Sequence, residues 1–474
     1  MTDMSRASDS VRSGRIVRDV VLTTSLSTVG RGVGFAIPFF VAAWFGVNTD
    51  TDAFFFAYGL VILLAGVFAP VVESVLVPFI AEIKTQDERR VRSFLGTTLV
   101  VATLGLAAVG ALLVLVSRPV LSVVSNFPDE SLDLIARLLL ETVPLFVLLT
   151  ATSLLSGALN AYKLFALPAV SPALRAAVAL LIIFTFRHSM GVHSIALGYV
   201  VGEGVRLAVL LFQAAKKGVA PSLTSLALDS RLLQFLKTAS YQIVGMAVLA
   251  FNPVIDKTMA SWLAPGSVSI LEYANRLYEI PIAFVTRGVF VVLLSHWSAR
   301  FYEGFESGFR RNVVSTARLV GGGAALLSVV LILLRVPLVG LVYGHGEFPE
   351  GYLPTVYTVW AFYLVGLGPT LFGRVFGRAH LVLKNTRLLM TVGIVNVLLK
   401  TALNLALIRP LGLSGLALST TITSSGLAVV LMLWFLKTRE TGPEAGDKPR
   451  GPGPETLGNA GERADQGGSR WVRT

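Results

Sequence analysis

Long apolar runs separated by short polar loops recur along almost the whole chain. A bilayer's hydrocarbon core is about 30 Å thick, and an α-helix of about 20 apolar residues crosses it. Twelve stretches meet that length: roughly 19–46, 53–81, 93–116, 132–158, 164–186, 191–214, 230–263, 267–298, 312–342, 353–380, 386–408 and 413–436. Those at 53–81, 230–263 and 267–298 exceed the need, so they must tilt, kink or extend beyond the lipid. Pro70, Pro253 and Pro281 mark the expected kinks. The pattern predicts an all-α polytopic membrane protein with about twelve transmembrane helices.

The polar loops between these runs differ in charge from one side to the other. With the N-terminus inside, one set of loops carries Arg6, Arg12, Arg15 and Arg18, then Lys84, Arg89, Arg90 and Arg92, then Lys163, Lys216, Lys217 and Arg231. It continues with Arg300, Arg310, Arg311, Lys384, Arg387, Lys437 and Arg439. The opposite loops hold only Arg118, Arg187 and Arg409, with Arg137 and Arg335 near that side. Basic loops stay cytoplasmic, so both termini are expected on the cytoplasmic side and the helix number even. Residues 1–18 are polar and lack a signal-peptide apolar region, so the first apolar run is expected to be retained. From 438 to 474 the chain is rich in Gly, Pro, Glu and Arg, too poor in apolar residues to offset ordering entropy, and is expected to be a disordered cytoplasmic tail.

The apolar segments repeat. Met190-Gly191-Val192-His193-Ser194-Ile195-Ala196-Leu197-Gly198 resembles Leu411-Gly412-Leu413-Ser414-Gly415-Leu416-Ala417-Leu418-Ser419. The same interval carries Ala158 and Lys163 onto Ala379 and Lys384, and a similar one carries Ala57 and Leu60 onto Ala274 and Leu277. Each half then has six helices entered from the same side, a parallel repeat about an axis along the membrane normal. The expected division is 19–217 for one six-helix bundle and 218–437 for the other, enclosing a central cavity. Glycines such as Gly30, Gly32, Gly34, Gly202 and Gly204 suit close helix packing and sliding.

Composition narrows the function. Only 14% of residues are charged, against roughly 25% in soluble domains. The net charge of +12 resides mainly in membrane-facing loops and does not indicate nucleic acid. The chain has no cysteine, hence no disulfide or thiolate metal site. Five scattered histidines show no metal-ligand spacing. Neither a phosphate-binding Gly-x-x-x-x-Gly-Lys-Ser/Thr loop nor a Gly-x-Ser-x-Gly elbow occurs. No enzymatic activity and no cofactor are expected. Any transport would run on membrane potential, H+, Na+ or the substrate's own gradient.

The chemistry concentrates between Asp256 and Pro281. Asp256, Lys257, Glu272, Arg276 and Glu279 lie in or beside runs long enough to span the bilayer. A charge at bilayer depth costs about 2.5–3.5 kcal/mol or more, so such residues face a protein interior or a watery cavity. Glu272, Arg276 and Glu279 fall at i, i+4 and i+7 and share one helix face. A structural ion pair of Arg276 with either glutamate is the bland alternative, compatible with a functional role. Glu73, Glu141 and Glu203 also lie in apolar runs, as members of a proton relay or as partners of Arg175 and Arg206. The i, i+3 spacing of Glu203 and Arg206 favours simple pairing.

Several segments resemble the MviN/MurJ family of lipid-linked glycan flippases, part of a superfamily that includes multidrug exporters and O-antigen flippases. They are Thr51-Asp52-Ala53-Phe54-Phe55-Phe56-Ala57-Tyr58 with Val77-Pro78-Phe79-Ile80-Ala81-Glu82, and Leu159-Asn160-Ala161-Tyr162-Lys163 running to Ala169. Gly266-Ser267-Val268, Tyr273 to Pro281, and Leu403 to Leu407 with Gly412 and Gly415 to Ser419 complete the set, over about 20–437. The resemblance implies a V-shaped core whose cationic cavity takes the diphosphate and sugars of an undecaprenyl-linked precursor. Arg31 and Arg276 match family arginines, and Asp52 and Glu279 join them as expected substrate contacts. Ile37-Pro38 and Ala65-Gly66 stand where the family often has further arginines, leaving Arg175, Arg206, Arg287 and Arg374 as candidate replacements. The resemblance also implies an ion or charge-coupling site at Asp256, Asn404 and Thr420. Lys400 lies one turn before Asn404, and its ammonium is expected to replace the ion by pairing with Asp256, with Lys257 as the other candidate partner. A buried lysine should not lie unpaired.

The expected function is therefore flipping of an undecaprenyl-pyrophosphate-linked glycan, lipid II or a related unit, by alternating access. A cation-coupled multidrug exporter and an exopolysaccharide or O-antigen unit flippase are the alternatives. A scaffold for a cell-wall complex has less need of buried ionisable groups, and a glycosyltransferase lacks an acidic motif in a sizeable loop. Partners would be the lipid-linked glycan and membrane lipid, with cell-wall synthesis proteins as further candidates, around a monomer.

Overall fold

The computed structural model describes residues 34–223, 229–302, 306–383 and 385–437. The expected terminal segments 1–18 and 438–474, and Arg31, lie outside the described residues. The helices are α1 (Gly34–Phe45), α2 (Thr49–Gln86), α3 (Glu88–Val124), α4 (Asp129–Ala161), α5 (Ala166–Met190) and α6 (His193–Lys216). There follow α7 (Ser230–Ala250), α8 (Asn252–Ala260), α9 (Ser267–Tyr302), α10 (Glu306–Leu333) and α11 (Arg335–Tyr343). The last are α12 (Leu353–Val365), α13 (Leu367–Val382), α14 (Thr386–Leu411) and α15 (Leu413–Lys437).

Among the described residues the twelve apolar stretches correspond to fifteen α-helices because three of them break. Phe251 separates α7 from α8, with Pro253 in the first turn of α8, where its missing N–H would have had no intrahelical partner. Leu334 separates α10 from α11. Gly366 separates α12 from α13, which meet at 40°. There α15 comes so close that a Cβ on Gly366 would lie 2.7 Å from Thr421 Oγ1. At Pro70 and Pro281 the helices run through without a break. Among the described residues, eight helices are individually long and apolar enough to cross a bilayer, and the α12–α13 pair makes nine.

The two glycines that the sequence repeat aligns have the same backbone geometry. Gly191 caps α5 with φ 56° and ψ −139°, and Gly412 caps α14 with φ 55° and ψ −133°. Each amide donates four residues back, to Arg187 O at 3.1 Å and to Ile408 O at 2.9 Å.

In the first half, α2 packs on α3 and α4, and α6 on α4 and α5. In the second, α9 packs on α12 and α13, α10 on α13, and α14 on α7 and α8. The halves meet mainly along α2, against α7, α8 and α9. The largest apolar core joins Ile37, Phe54 and Phe55 to Tyr273, Tyr343 and Trp360. The outer faces are apolar too: the most apolar stretch of α3 is only 11% buried, with Leu115 and Val123 exposed. Soluble proteins rarely expose such patches, and lipid is the solvent that suits them.

Candidate functional site

A cavity of about 530 Å³ opens between α1, α2, α4, α5 and α6, with one side chain of α9 reaching in. Arg175 of α5, Arg206 of α6 and Arg276 of α9 line it together. Their positions come from three helices far apart in sequence. Pro172 and Ser171 lie one turn before Arg175, and Ser171 Oγ receives Arg206 Nε at 3.0 Å. Glu203 is fully buried and holds both cations of this side, Arg206 Nη1 at 3.0 Å and Arg175 Nη1 at 3.4 Å. Thr152 Oγ1 donates to the same carboxylate at 2.5 Å. Arg175 Nε has no hydrogen-bond partner, although it is out of contact with bulk solvent. Tyr58 and Tyr199 stack at 4.7 Å on the cavity wall.

On α9 the predicted face carries a chain of ion pairs. Arg276 lies 2.6 Å from Glu272 and 2.9 Å from Glu279. Lys257 of α8 reaches the other oxygen of Glu272 at 2.8 Å and donates to Phe55 O of α2 at 2.9 Å. Buried charges persist when they are paired and hydrogen-bonded, and Lys257 and Glu272 meet both conditions.

One end of the space between the halves is shut. Asp52, expected at the substrate, lies there instead. Its carboxylate accepts from Gly266 N and Ser269 N at 2.7 Å each and from Ser269 Oγ at 2.6 Å. The reason is electrostatic: free N–H groups at a helix N-terminus attract a carboxylate, and Asp52 of α2 meets the start of α9. Beside it Glu347 N donates to Ala43 O at 2.8 Å, and Tyr273 OH to Gly46 O at 2.9 Å. The chain tolerates no side chain at Gly346, where φ is 72° and a Cβ would lie 2.1 Å from Ala43 O.

A second buried group joins α8, α14 and α15. Lys400 Nζ lies 2.6 Å from Asp256 Oδ2, and Asn404 Nδ2 donates to Asp256 Oδ1 at 2.8 Å. Ser419 Oγ donates to Asn404 Oδ1. Lys257, the other candidate partner, is engaged by Glu272. Thr420, expected in this group, bonds Leu416 O of its own helix at 3.2 Å. One residue is about 100° of helix rotation, so Ser419 takes the inward position and Thr420 does not.

The remaining candidates divide. Arg287 has no described side chain. Arg374 lies in a separate cavity with Arg378. Glu279 keeps its pairing with Arg276 and is 41% exposed. Glu141 pairs with His193 at 2.8 Å, and Glu73 accepts from Asn160 at 3.2 Å. Spacing alone offered no route to Tyr58, Tyr199 or Ser419. Their signal was only that polar side chains interrupt apolar helices.

A lipid II flippase MurJ family model matches residues 41–447. The probable lipid II flippase MurJ of Buchnera aphidicola from Acyrthosiphon pisum is 24% identical over 417 residues, covering 86% of this chain and 81% of that one. Among solved structures, a lipid II flippase MurJ in an inward closed conformation superposes with a TM-score of 0.75 at 23% identity, covering 88% of each chain. An inward-facing MATE multidrug resistance transporter of the MOP superfamily also gives 0.75, at 12% identity, covering 88% of this chain and 97% of that one. Both likenesses establish the all-α polytopic fold, and neither separates flippase from drug exporter. The family match makes that separation, because it runs unbroken from α1 past the end of α15. The chain belongs to the lipid II flippase MurJ family.

Proposed function

We propose that this protein flips an undecaprenyl-pyrophosphate-linked glycan, lipid II, across the bacterial cytoplasmic membrane by alternating access of two six-helix halves. The observation that carries this reading is the convergence of Arg175, Arg206 and Arg276 on one cavity. A diphosphate entering oil must exchange its hydration for cationic donors, and guanidinium forks match phosphate oxygens in pairs. The unused Arg175 Nε is one such donor. Tyr58 and Tyr199 offer an apolar ring face with a polar edge, the surface on which a sugar packs. The cation set differs from that implied by Arg31 and Arg276 alone: α5 and α6 supply charge that Ile37-Pro38 and Ala65-Gly66 do not.

The end shut by Asp52, Gly346 and Tyr273 is read as the outer one, from the scarcity of Lys and Arg in the loops on that side. Substrate then enters from the basic, cytoplasmic side, where both termini lie. Asp52 belongs to the closure and not to the substrate set. Lys400 is read as a built-in cation at Asp256, so transport should not require sodium. Rates unchanged when sodium is replaced by choline support this, and a clear sodium requirement sinks it.

The test is complementation of cells depleted of their lipid II flippase. The wild-type chain should restore growth and surface lipid II. Arg276→Ala should insert at normal levels, because Lys257 still compensates Glu272, and should fail to restore either. Full activity of Arg276→Ala would remove the basis of the reading.

A further inference from the structure

A second cavity of about 530 Å³ lies between α9, α13, α14 and α15 and shares no lining residue with the central one. Two arginines line it, Arg374 and Arg378, at i and i+4 on α13. Like charges at that spacing repel. Among the described residues neither has a carboxylate within ion-pair reach. Arg374 Nη1 donates to Thr286 Oγ1 at 3.2 Å, and Glu279, two turns before Thr286 on α9, is already held by Arg276 at 2.9 Å. The other polar wall groups, Thr370, Asn396 and Ser424, are neutral. This is the reverse of the central cavity, where Arg175, Arg206 and Arg276 each have a glutamate.

Two uncompensated cations in a membrane helix each carry a penalty of a few kcal/mol unless they face water or an anion. The rest of the wall, Leu389, Val392, Leu427 and Leu431, is apolar. An inorganic anion would waste that surface, and a lipid with no net charge would leave the two positive charges uncompensated. We infer that this cavity binds an anionic phospholipid, its phosphate between Arg374 and Arg378 and an acyl chain along the α14–α15 wall. The volume falls in the range of small-molecule sites, about 300–1,000 Å³. Arg374 lies eight residues before the end of α13, about 12 Å along the axis, within reach of a headgroup at the membrane surface. That end of α13 leads to Lys384 and Arg387. Basic pockets between helices on the cytoplasmic side suit anionic headgroups. The inference does not depend on the cargo of the central cavity.

Native mass spectrometry of the purified full-length protein tests it, with phosphatidylglycerol, phosphatidylcholine or inorganic phosphate added in turn. The first phosphatidylglycerol bound should be held at least tenfold more tightly than phosphatidylcholine. Arg374→Gln/Arg378→Gln should abolish that preference. Val392→Phe, which fills the cavity without touching charge, should weaken phosphatidylglycerol in the same way and guards against a folding artefact in the double variant. Equal binding of the two lipids, or an undiminished preference in both variants, overturns the inference. Displacement of phosphatidylglycerol by equimolar inorganic phosphate also overturns it, since the acyl chain would then add nothing.

Discussion

Lys400→Ala isolates the energetics of the buried charge group. Lys400 and Asp256 are 8% and 10% exposed and 2.6 Å apart. Removing one partner of a buried pair destabilises by about 3–5 kcal/mol, because the survivor is left uncompensated. Asn404 Nδ2 still donates to Asp256, which places the expected loss near the lower figure. About 3 kcal/mol is roughly a 150-fold fall in the folded-to-unfolded ratio. Lys400→Ala/Asp256→Asn removes both charges and should recover about 2 kcal/mol of that loss, the coupling expected of directly contacting residues. Denaturant unfolding in detergent, followed by tryptophan fluorescence, measures all four corners of the cycle. The single variant also leaves a carboxylate, an amide oxygen and a hydroxyl around the vacated position, donors that suit a hard cation. A sodium site of about 10 mM affinity would restore about 1.4 kcal/mol at 100 mM sodium. Wild type should show no such sodium effect. A loss below about 1 kcal/mol in Lys400→Ala, or equal sodium stabilisation of wild type, would refute the reasoning.

The closed end and the cavity allow three further tests. Gly346→Ala forces a methyl to within 2.1 Å of Ala43 O, so the strand of contact through Glu347 must part. A cysteine pair at Ala43 and Glu347, clean in a chain with no native cysteine, should cross-link readily in the parent and poorly in the variant. Asp52→Asn keeps one acceptor oxygen for three donors and should weaken the closure by about 1 kcal/mol, a shift of about fivefold in the same cross-linking ratio. Unchanged cross-linking in either case would show that these contacts do not hold the end shut. Glu203→Gln frees Arg175 and Arg206 from a shared carboxylate and should tighten binding of a diphosphate lipid several-fold by fluorescence titration. Weaker binding would refute competition between Glu203 and substrate.

What the chain disclosed in advance was what short-range periodicity encodes. Glu272, Arg276 and Glu279 share a face because helix geometry puts i, i+4 and i+7 together, and the ion pairs form there. The proximity of Lys400 and Asp256 was legible because a charge in an apolar helix demands a counter-charge. The convergence of Arg175 and Arg206 with Arg276 was not, since it depends on how α5 and α6 are rotated against α9, and their apolar faces are too continuous to fix that rotation. Asp52 misled for a related reason. An acidic residue at the start of α2 looks the same whether it faces a cavity or the end of another helix, and only the approach of Gly266 and Ser269 decides. Thr420 was displaced by Ser419 because both hydroxyls occur in sequence and one residue of helical phase selects between them.

Cavity and closure share one rigid element. α9 begins at the amides held by Asp52 and carries Arg276 seven residues beyond Ser269, about 10 Å along its axis. Arg276 is held by Glu272 and Glu279, and Glu272 is tied through Lys257 to the backbone of α2 at Phe55. A diphosphate that draws Arg276 toward Arg175 and Arg206 must therefore compete with carboxylates on the same helix. Any turn or tilt of α9 in response also strains the bonds at its first turn. A ligand shifts a conformational equilibrium only by its different affinity for the two states. On the proposed reading the difference has a physical source, since Arg276 would serve either Glu272 and Glu279 or the substrate. On the same reading, loading the cavity leaves Lys257 as the remaining counter-charge of Glu272 and strains the bonds of Asp52 to the first turn of α9, so cargo and closure act on one helix.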